Sequence, residues 1–250
     1  MPKLSINTTA NYSPNFDLRK RNSKQIKYII FHYTGMKNEN DAIKKLTSFK
    51  SKVSCHYFIK SNGKILTLVP DLYIAWHAGI SFWKNFNSLN KSSIGIEITN
   101  PGHQFGYKKF SNKQINSLIN LIKFLIKKYK INKKNIIGHS DIAPDRKKDP
   151  GEKFPWEYLA KKNISFWHNL DKQKLRKLRK KKCNKIMKRI FFKNLFNIGY
   201  VKKTKNNVKK GQYFVFLAKA FQRRFRQKLV DGKIDQECLL ISQNLIQNRP

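Results

Sequence analysis

Carboxylates are what this chain has least of: 14 Asp and Glu stand against 54 Lys and Arg in 250 residues, for a net charge of +40. The resulting field attracts polyanions such as nucleic acid, an anionic membrane or an acidic polymer, which bears on partners rather than on fold. Drift in genome composition would also enrich Lys, Ile and Asn, although it does not obviously deplete acids. Cysteine is scarce too, and the three present, Cys55, Cys183 and Cys238, are scattered and odd in number, so no disulfide framework is indicated. Long apolar runs are missing; "YFVFLA" and "YIIF" are far too short to span a bilayer. The opening "MPKLSINTTANYSPNF" lacks a basic-then-apolar secretory pattern, so the cytoplasm is the expected compartment, with the cell envelope as the alternative. No internal repeat is evident.

What is present suffices for a globular core: 40% of residues are apolar and 13% aromatic. "KYIIFHY", 27 to 33, reads as a buried strand that brings His32 near its C-terminal end. "CHYFI" and "KILTLV", joined across Asn62-Gly63, read as a β-hairpin, and "SIGIEI", 93 to 98, alternates as a strand. Ser111 and Gln114 have capping-box spacing ahead of an apolar stripe from Ile115 to Ile126, which predicts a helix. "NIIGH", 135 to 139, is a short strand delivering His139 to a loop rich in Pro, Gly and charge. Strands alternating with helices, with polar residues just past strand C-termini, predict an α/β sheet with a site along that edge.

Composition changes after Trp167. The run 171 to 189 is basic and reads as a solvated helix or a linker; beyond it apolar residues return, with two short amphipathic helices expected in "AKAFQRRF" and "DQECLLISQNLI". The organisation this suggests is a first domain over 1–168, a basic segment over 169–189 and a small all-α domain over 190–250.

Two imidazoles and a carboxylate form a three-ligand catalytic zinc set, with a fourth position for water. His32, His139 and Asp149 supply those residue types, but a histidine at the end of an apolar strand is more often structural, and their separation in sequence proves nothing. The ordered stretches "FHYTG", "VSCHYFI", "AWHAGIS", "SIGIE", "GHSDIAP", "RKKDPG" and "FPW" carry more weight. Together, over about residues 10 to 168, they resemble the zinc-dependent N-acetylmuramoyl-L-alanine amidases of the type-2 family.

The resemblance implies a central mixed sheet flanked by helices, and hydrolysis of the amide between the lactyl group of N-acetylmuramic acid and L-alanine. Position by position, it makes His32, His139 and Asp149 the ligands of one zinc ion, Glu97 the proton-transferring carboxylate and Lys147 the oxyanion-stabilising cation. Trp76, His77 and His103 become candidates for lining the substrate groove. His56 reads as a hydrogen-bonded core histidine, His168 lies between the two regions, and Asp141 and Asp145 could orient ligands from behind. Gly35 stands where many relatives have Ala, a small-for-small change.

The tail, with "IGY", "AFQRRF" and "DGKIDQE", more weakly resembles a helical peptidoglycan-binding module. The partners implied are peptidoglycan or anhydro-muropeptides, in cell-wall turnover. A wall-binding protein without activity and, further behind, a nucleic-acid binder are the alternatives; all three zinc-ligand types are present, and no nucleic-acid motif is recognisable.

Overall fold

The computed structural model describes residues 6–201 and 209–247. The first part holds β1 (Thr9–Ala10), β2 (Phe16–Asp17), β3 (Tyr28–Tyr33), α1 (Glu39–Thr47), β4 (Tyr57–Ile59), β5 (Ile65–Thr67), β6 (Ile74–Ala75), β7 (Phe82–Trp83) and β8 (Phe86–Asn87). Then follow β9 (Ser93–Ile98), α2 (Asn112–Tyr129), β10 (Ile136–Gly138), α3 (His139–Ile142) and α4 (Trp156–Lys161). The C-terminal part is helical: α5 (Lys172–Leu178), α6 (Lys185–Ile198), α7 (Lys210–Phe225) and α8 (Gln236–Gln247).

Six strands form one sheet in the order β1-β5-β4-β9-β3-β10. β4, β9, β3 and β10 run parallel, and β5 pairs antiparallel with β4, so the sheet is mixed as expected. Parallel strands need crossover connections, and α2 lies in the one that leads from β9 past β3 to β10. Its N-terminus is closed by the expected capping box: Gln114 N–H donates to Ser111 Oγ (3.2 Å) and Ser111 N–H to Gln114 Oε1 (3.0 Å). The Asn62-Gly63 hairpin also forms; Gly63 takes φ +88°, the left-handed conformation that a turn there requires.

Alternation along the strands gives the sheet two different faces. Ile29 and Phe31 of β3 and Ile94, Ile96 and Ile98 of β9 pack with the apolar stripe of α2 in one buried layer. Phe31 also meets Phe154 and Trp156 there, at ring separations of 5.1 and 5.4 Å. On the opposite face, Phe58 of β4 packs under Ala42 and Leu46 of α1. Tyr28, Ile30 and Ile137 on that side share a core with Leu175, Phe191 and Phe221 of the C-terminal helices.

The shared core revises the domain expectation. The boundary placed at residue 190 falls inside α6, and the basic run is neither one solvated helix nor a linker: α5 buries Leu175, and α6 begins at Lys185. "AKAFQRRF" is the end of a 16-residue helix, longer than expected. The expected strand 135–139 stops at Gly138, and His139 opens α3 instead. In the tail, buried Gln222 folds the chain back on itself: its Oε1 accepts Asp231 N–H (3.1 Å) and Gly232 N–H (2.8 Å), while its Nε2 donates to Lys233 O (2.8 Å). Residues 1–5, which open the leader read for compartment, lie outside the described residues. Among the described residues no helix is long and apolar enough to cross a membrane.

Candidate metal centre and active-site cleft

Strand register places the chemistry. His32 and Glu97 are lateral partners on the parallel pair β3·β9, and Gly138 is level with Phe31, so His139 emerges beside His32. All three therefore meet at the C-terminal edge of the parallel strands. Asp149 returns to them through the loop after α3, which is tied to its start by Ser140 N–H donating to Asp149 O (2.8 Å).

His32 Nδ1, His139 Nδ1 and Asp149 Oδ2 approach one another at 2.8, 3.0 and 3.0 Å, and all three residues are buried. Their remote nitrogens fix what these atoms carry. His139 Nε2 faces Ala78 O at 3.2 Å and must donate, since a carbonyl only accepts; this leaves Nδ1 of the neutral ring bare. For His32 the assignment runs back through a chain. Ser93 Oγ–H donates to Leu89 O (2.6 Å), so His77 Nε2–H donates to Ser93 Oγ (3.2 Å), and His77 Nδ1 accepts from His32 Nε2–H (3.0 Å). His32 Nδ1 is then also bare. Two lone pairs and a carboxylate oxygen aimed at one buried point repel each other unless a cation lies between them, so the donor set fits a metal. Among the described residues, His32, His139 and Asp149 are the one group of three or more such side chains placed to hold an ion.

Electrostatics agree with a neutral ring at His139 and at His77. Burial lowers the His139 imidazole to about 4 against the pull of Asp149, and burial holds His77 well below its usual range.

Glu97 stands beside this set with its Oε2 enclosed and without a hydrogen-bond partner. Burial pushes its carboxyl up to about 7, opposed by His32 and Lys147 and reinforced by Asp149. A carboxylate near neutrality next to a ligand set is placed to move protons. The cleft over these groups has a volume of about 670 Å³, and its lining includes Glu97, Lys147, Trp76 and His103 together with the metal set. Lys147 follows α3, its N–H donating to Ala143 O (3.0 Å).

The other sequence candidates divide. Trp76 lines the cleft and is pinned by its indole N–H donating to Asp17 Oδ1 (2.7 Å). His103 sits at the rim, stacked on Tyr107 at 4.4 Å and bonded to both Tyr33 OH (2.9 Å) and Glu152 (3.0 Å). His77 is among the residues lining the cleft, as expected, and both its ring nitrogens are also committed, to His32 on one side and Ser93 on the other, so it stands behind His32 as well. Gly95 makes room for it, because a Cβ there would overlap the His77 ring. His56 is fully buried, with Nδ1 accepting Gly95 N–H (3.0 Å), as its core reading required. His168 stacks on Trp167 at 4.9 Å. Asp141 does not touch a ligand side chain; it accepts from Gly138 N–H, Tyr200 and Arg224. Sequence reading missed Tyr200 and Arg224, whose only signal was the presence of "IGY" and "AFQRRF" in a tail taken as separate.

An α/β sheet whose parallel-strand edge gathers a buried His-His-Asp set beside a carboxylate with one partnerless oxygen has the arrangement of a metal-assisted hydrolase. Known proteins narrow that class. The profile of the family described as N-acetylmuramoyl-L-alanine amidase matches residues 22–152. The N-acetylmuramoyl-L-alanine amidase AmiD of Escherichia coli is 34% identical over 236 residues, spanning 89% of this chain and 83% of that protein. The 1,6-anhydro-N-acetylmuramyl-L-alanine amidase AmpD of Haemophilus influenzae is 34% identical over 167 residues, 59% of this chain and 88% of its own length. The solved structure of E. coli AmiD with anhydro-N-acetylmuramic acid-L-Ala-D-gamma-Glu-L-Lys superposes with a TM-score of 0.77 over 89% of both chains. Pseudomonas aeruginosa AmpDh3 in complex with anhydromuramic pentapeptide, 29% identical, matches at 0.77 over 100% of both. This chain belongs to the N-acetylmuramoyl-L-alanine amidase family.

Proposed function

We propose that the chain hydrolyses the amide between the lactyl group of N-acetylmuramic acid, or of its 1,6-anhydro form, and L-alanine, in peptidoglycan or the muropeptides released from it. The observation that carries this reading is the convergence of three bare ligand atoms beside the partnerless Glu97 oxygen inside one cleft. Family membership and the muropeptide complexes of AmiD and AmpDh3 support the substrate class.

His32, His139 and Asp149 would hold one zinc ion, which when bound polarises the scissile carbonyl and makes water acidic. Glu97 takes the proton of the attacking water at its free oxygen and passes it to the departing L-alanine nitrogen. Lys147 places an ammonium where negative charge develops on the carbonyl oxygen. His77 keeps the His32 ring in the tautomer that leaves Nδ1 free. Trp76 and His103 bind the substrate along the cleft walls. The C-terminal helices contribute wall binding, a reading suggested by the "AFQ" helix and the Asp-Gly turn that Gln222 clamps; tethering would raise local substrate concentration.

The test is to incubate the purified chain with anhydro-muropeptide and follow free stem peptide by mass spectrometry, with and without chelator and beside Asp149→Ala. Zinc-dependent release absent from the variant is the expected result. No release from muropeptide or intact wall by a zinc-loaded chain would refute the catalytic reading and favour a wall-binding protein.

A further inference from the structure

We infer that Asp141, Tyr200 and Arg224 form a lock through which the C-terminal helices position the metal ligand His139; the inference rests on the metal set proposed above. Asp141 lies two residues beyond His139 and is 1% exposed. Its Oδ2 accepts the N–H of Gly138, the residue directly before His139, at 2.8 Å, and an Arg224 Nη1–H at 2.8 Å. Its Oδ1 accepts the Tyr200 hydroxyl at 2.6 Å. One carboxylate is thus held by the turn that carries the ligand and by two side chains from the C-terminal region.

The second arm of Arg224 closes the geometry. Its Nη2 donates to Ile136 O at 2.9 Å, satisfying a carbonyl of β10, the last strand of the sheet. A single guanidinium therefore ties both ends of the segment Ile136 to Asp141, and His139 lies between them. Neither group has room to drift. Arg224 is 3% exposed, with its guanidinium over the Trp156 ring at 4.7 Å and the Phe225 ring at 4.8 Å, and Tyr200 is 2% exposed, set edge-on against Trp83 at 4.9 Å. The third ligand is tied to the same turn, because Ser140 N–H donates to Asp149 O. Gly138 is hemmed in as well, since a Cβ there would lie 2.7 Å from Pro150 Cδ.

Asp141, Tyr200 and Arg224 are positioning residues: none touches the reacting atoms, and each acts through the backbone that aims His139. Such outer partners of metal ligands typically govern metal affinity by about 10- to 100-fold. The C-terminal helices are then part of the centre, whatever they bind on their outer surface.

The test compares the full-length parent with Tyr200→Phe, Arg224→Lys and, as a control, Ile241→Ala, which removes a buried α8 side chain outside the network. Zinc dissociation constants are read by competition with a chelating dye, ligand geometry by the visible spectrum of the cobalt-substituted protein, and folding by thermal melts. The lock predicts zinc binding weakened about 10- to 100-fold in both network variants, with altered cobalt bands, while Ile241→Ala melts earlier but binds zinc like the parent. Tyr200→Phe keeps the ring and decides the matter even where Arg224→Lys does not fold. Parent-like affinity in the network variants, or an equal loss in the control, overturns the lock. A parent that takes up no zinc overturns the metal set itself, and the lock with it.

Discussion

On β9, Ile94, Ile96 and Ile98 point into the layer beneath α2, while Ser93 and Glu97 point the other way, toward His77 and His32, with Gly95 leaving space between them. The apolar face is held by contacts that are numerous and interchangeable, so trimming one weakens it in proportion to volume. On the polar face each hydrogen bond assigns the proton of the next, from Leu89 O through Ser93 and His77 to His32, so one misplaced group propagates to the proposed ligand His32. A strand with period-two alternation serves both purposes because its neighbours differ across the sheet.

The sharpest way to break the comparison is at the ligands. His139→Ala should abolish zinc uptake and reduce peptide release to background, as read by metal content and mass spectrometry, with the apolar layer intact by circular dichroism. Glu97→Gln keeps shape and ligands while removing the base; kcat should fall by about 10²- to 10⁴-fold with zinc still bound. Equal rates in parent and variant would remove Glu97 from the mechanism.

Gly95→Ala adds one methyl on the polar face, into the His77 ring, and should weaken zinc binding by about 10- to 100-fold. Its neighbour Ile94→Val removes one methyl on the other face and should cost only about 1 kcal/mol of stability in denaturant melts, leaving zinc affinity untouched. If the two variants behave alike, the faces do not differ as described.

The pH dependence sharpens the same point. With the Glu97 carboxyl raised to about 7 in the metal-free chain, the proposed base is protonated below that pH and ionised above it. A bound cation favours the ionised form, so the midpoint should fall on zinc loading. The loaded enzyme should lose rate by about tenfold per pH unit below that lowered midpoint. NMR titration of Glu97 with and without zinc measures both midpoints; one unmoved by zinc would place the carboxylate away from the centre.

Much of this arrangement was legible beforehand. Capping-box spacing and an apolar stripe located α2, the alternation of "SIGIEI" located β9, and the order of the short motifs located the family. His32, Glu97 and His139 were readable because each ends or follows a strand, and parallel strands end together. Less legible were the roles set by contacts across long separations. His77 matched a groove motif and does line the cleft, but the sequence did not show that packing over Gly95 also sets it behind His32. Asp141 belonged to the metal loop by sequence, yet two of its partners come from 59 and 83 residues away. The domain boundary failed for a related reason: composition marks where charge changes, whereas a shared core is recorded only in which faces meet.

The most direct measurement is a calorimetric titration of the metal-free chain with zinc, repeated on Asp149→Ala and Glu97→Gln. One zinc per chain, bound by the parent and by Glu97→Gln and lost in Asp149→Ala, is the predicted result. A parent that binds none, or an Asp149→Ala chain that binds as tightly as the parent, would contradict the assignment of the polar face as the metal centre.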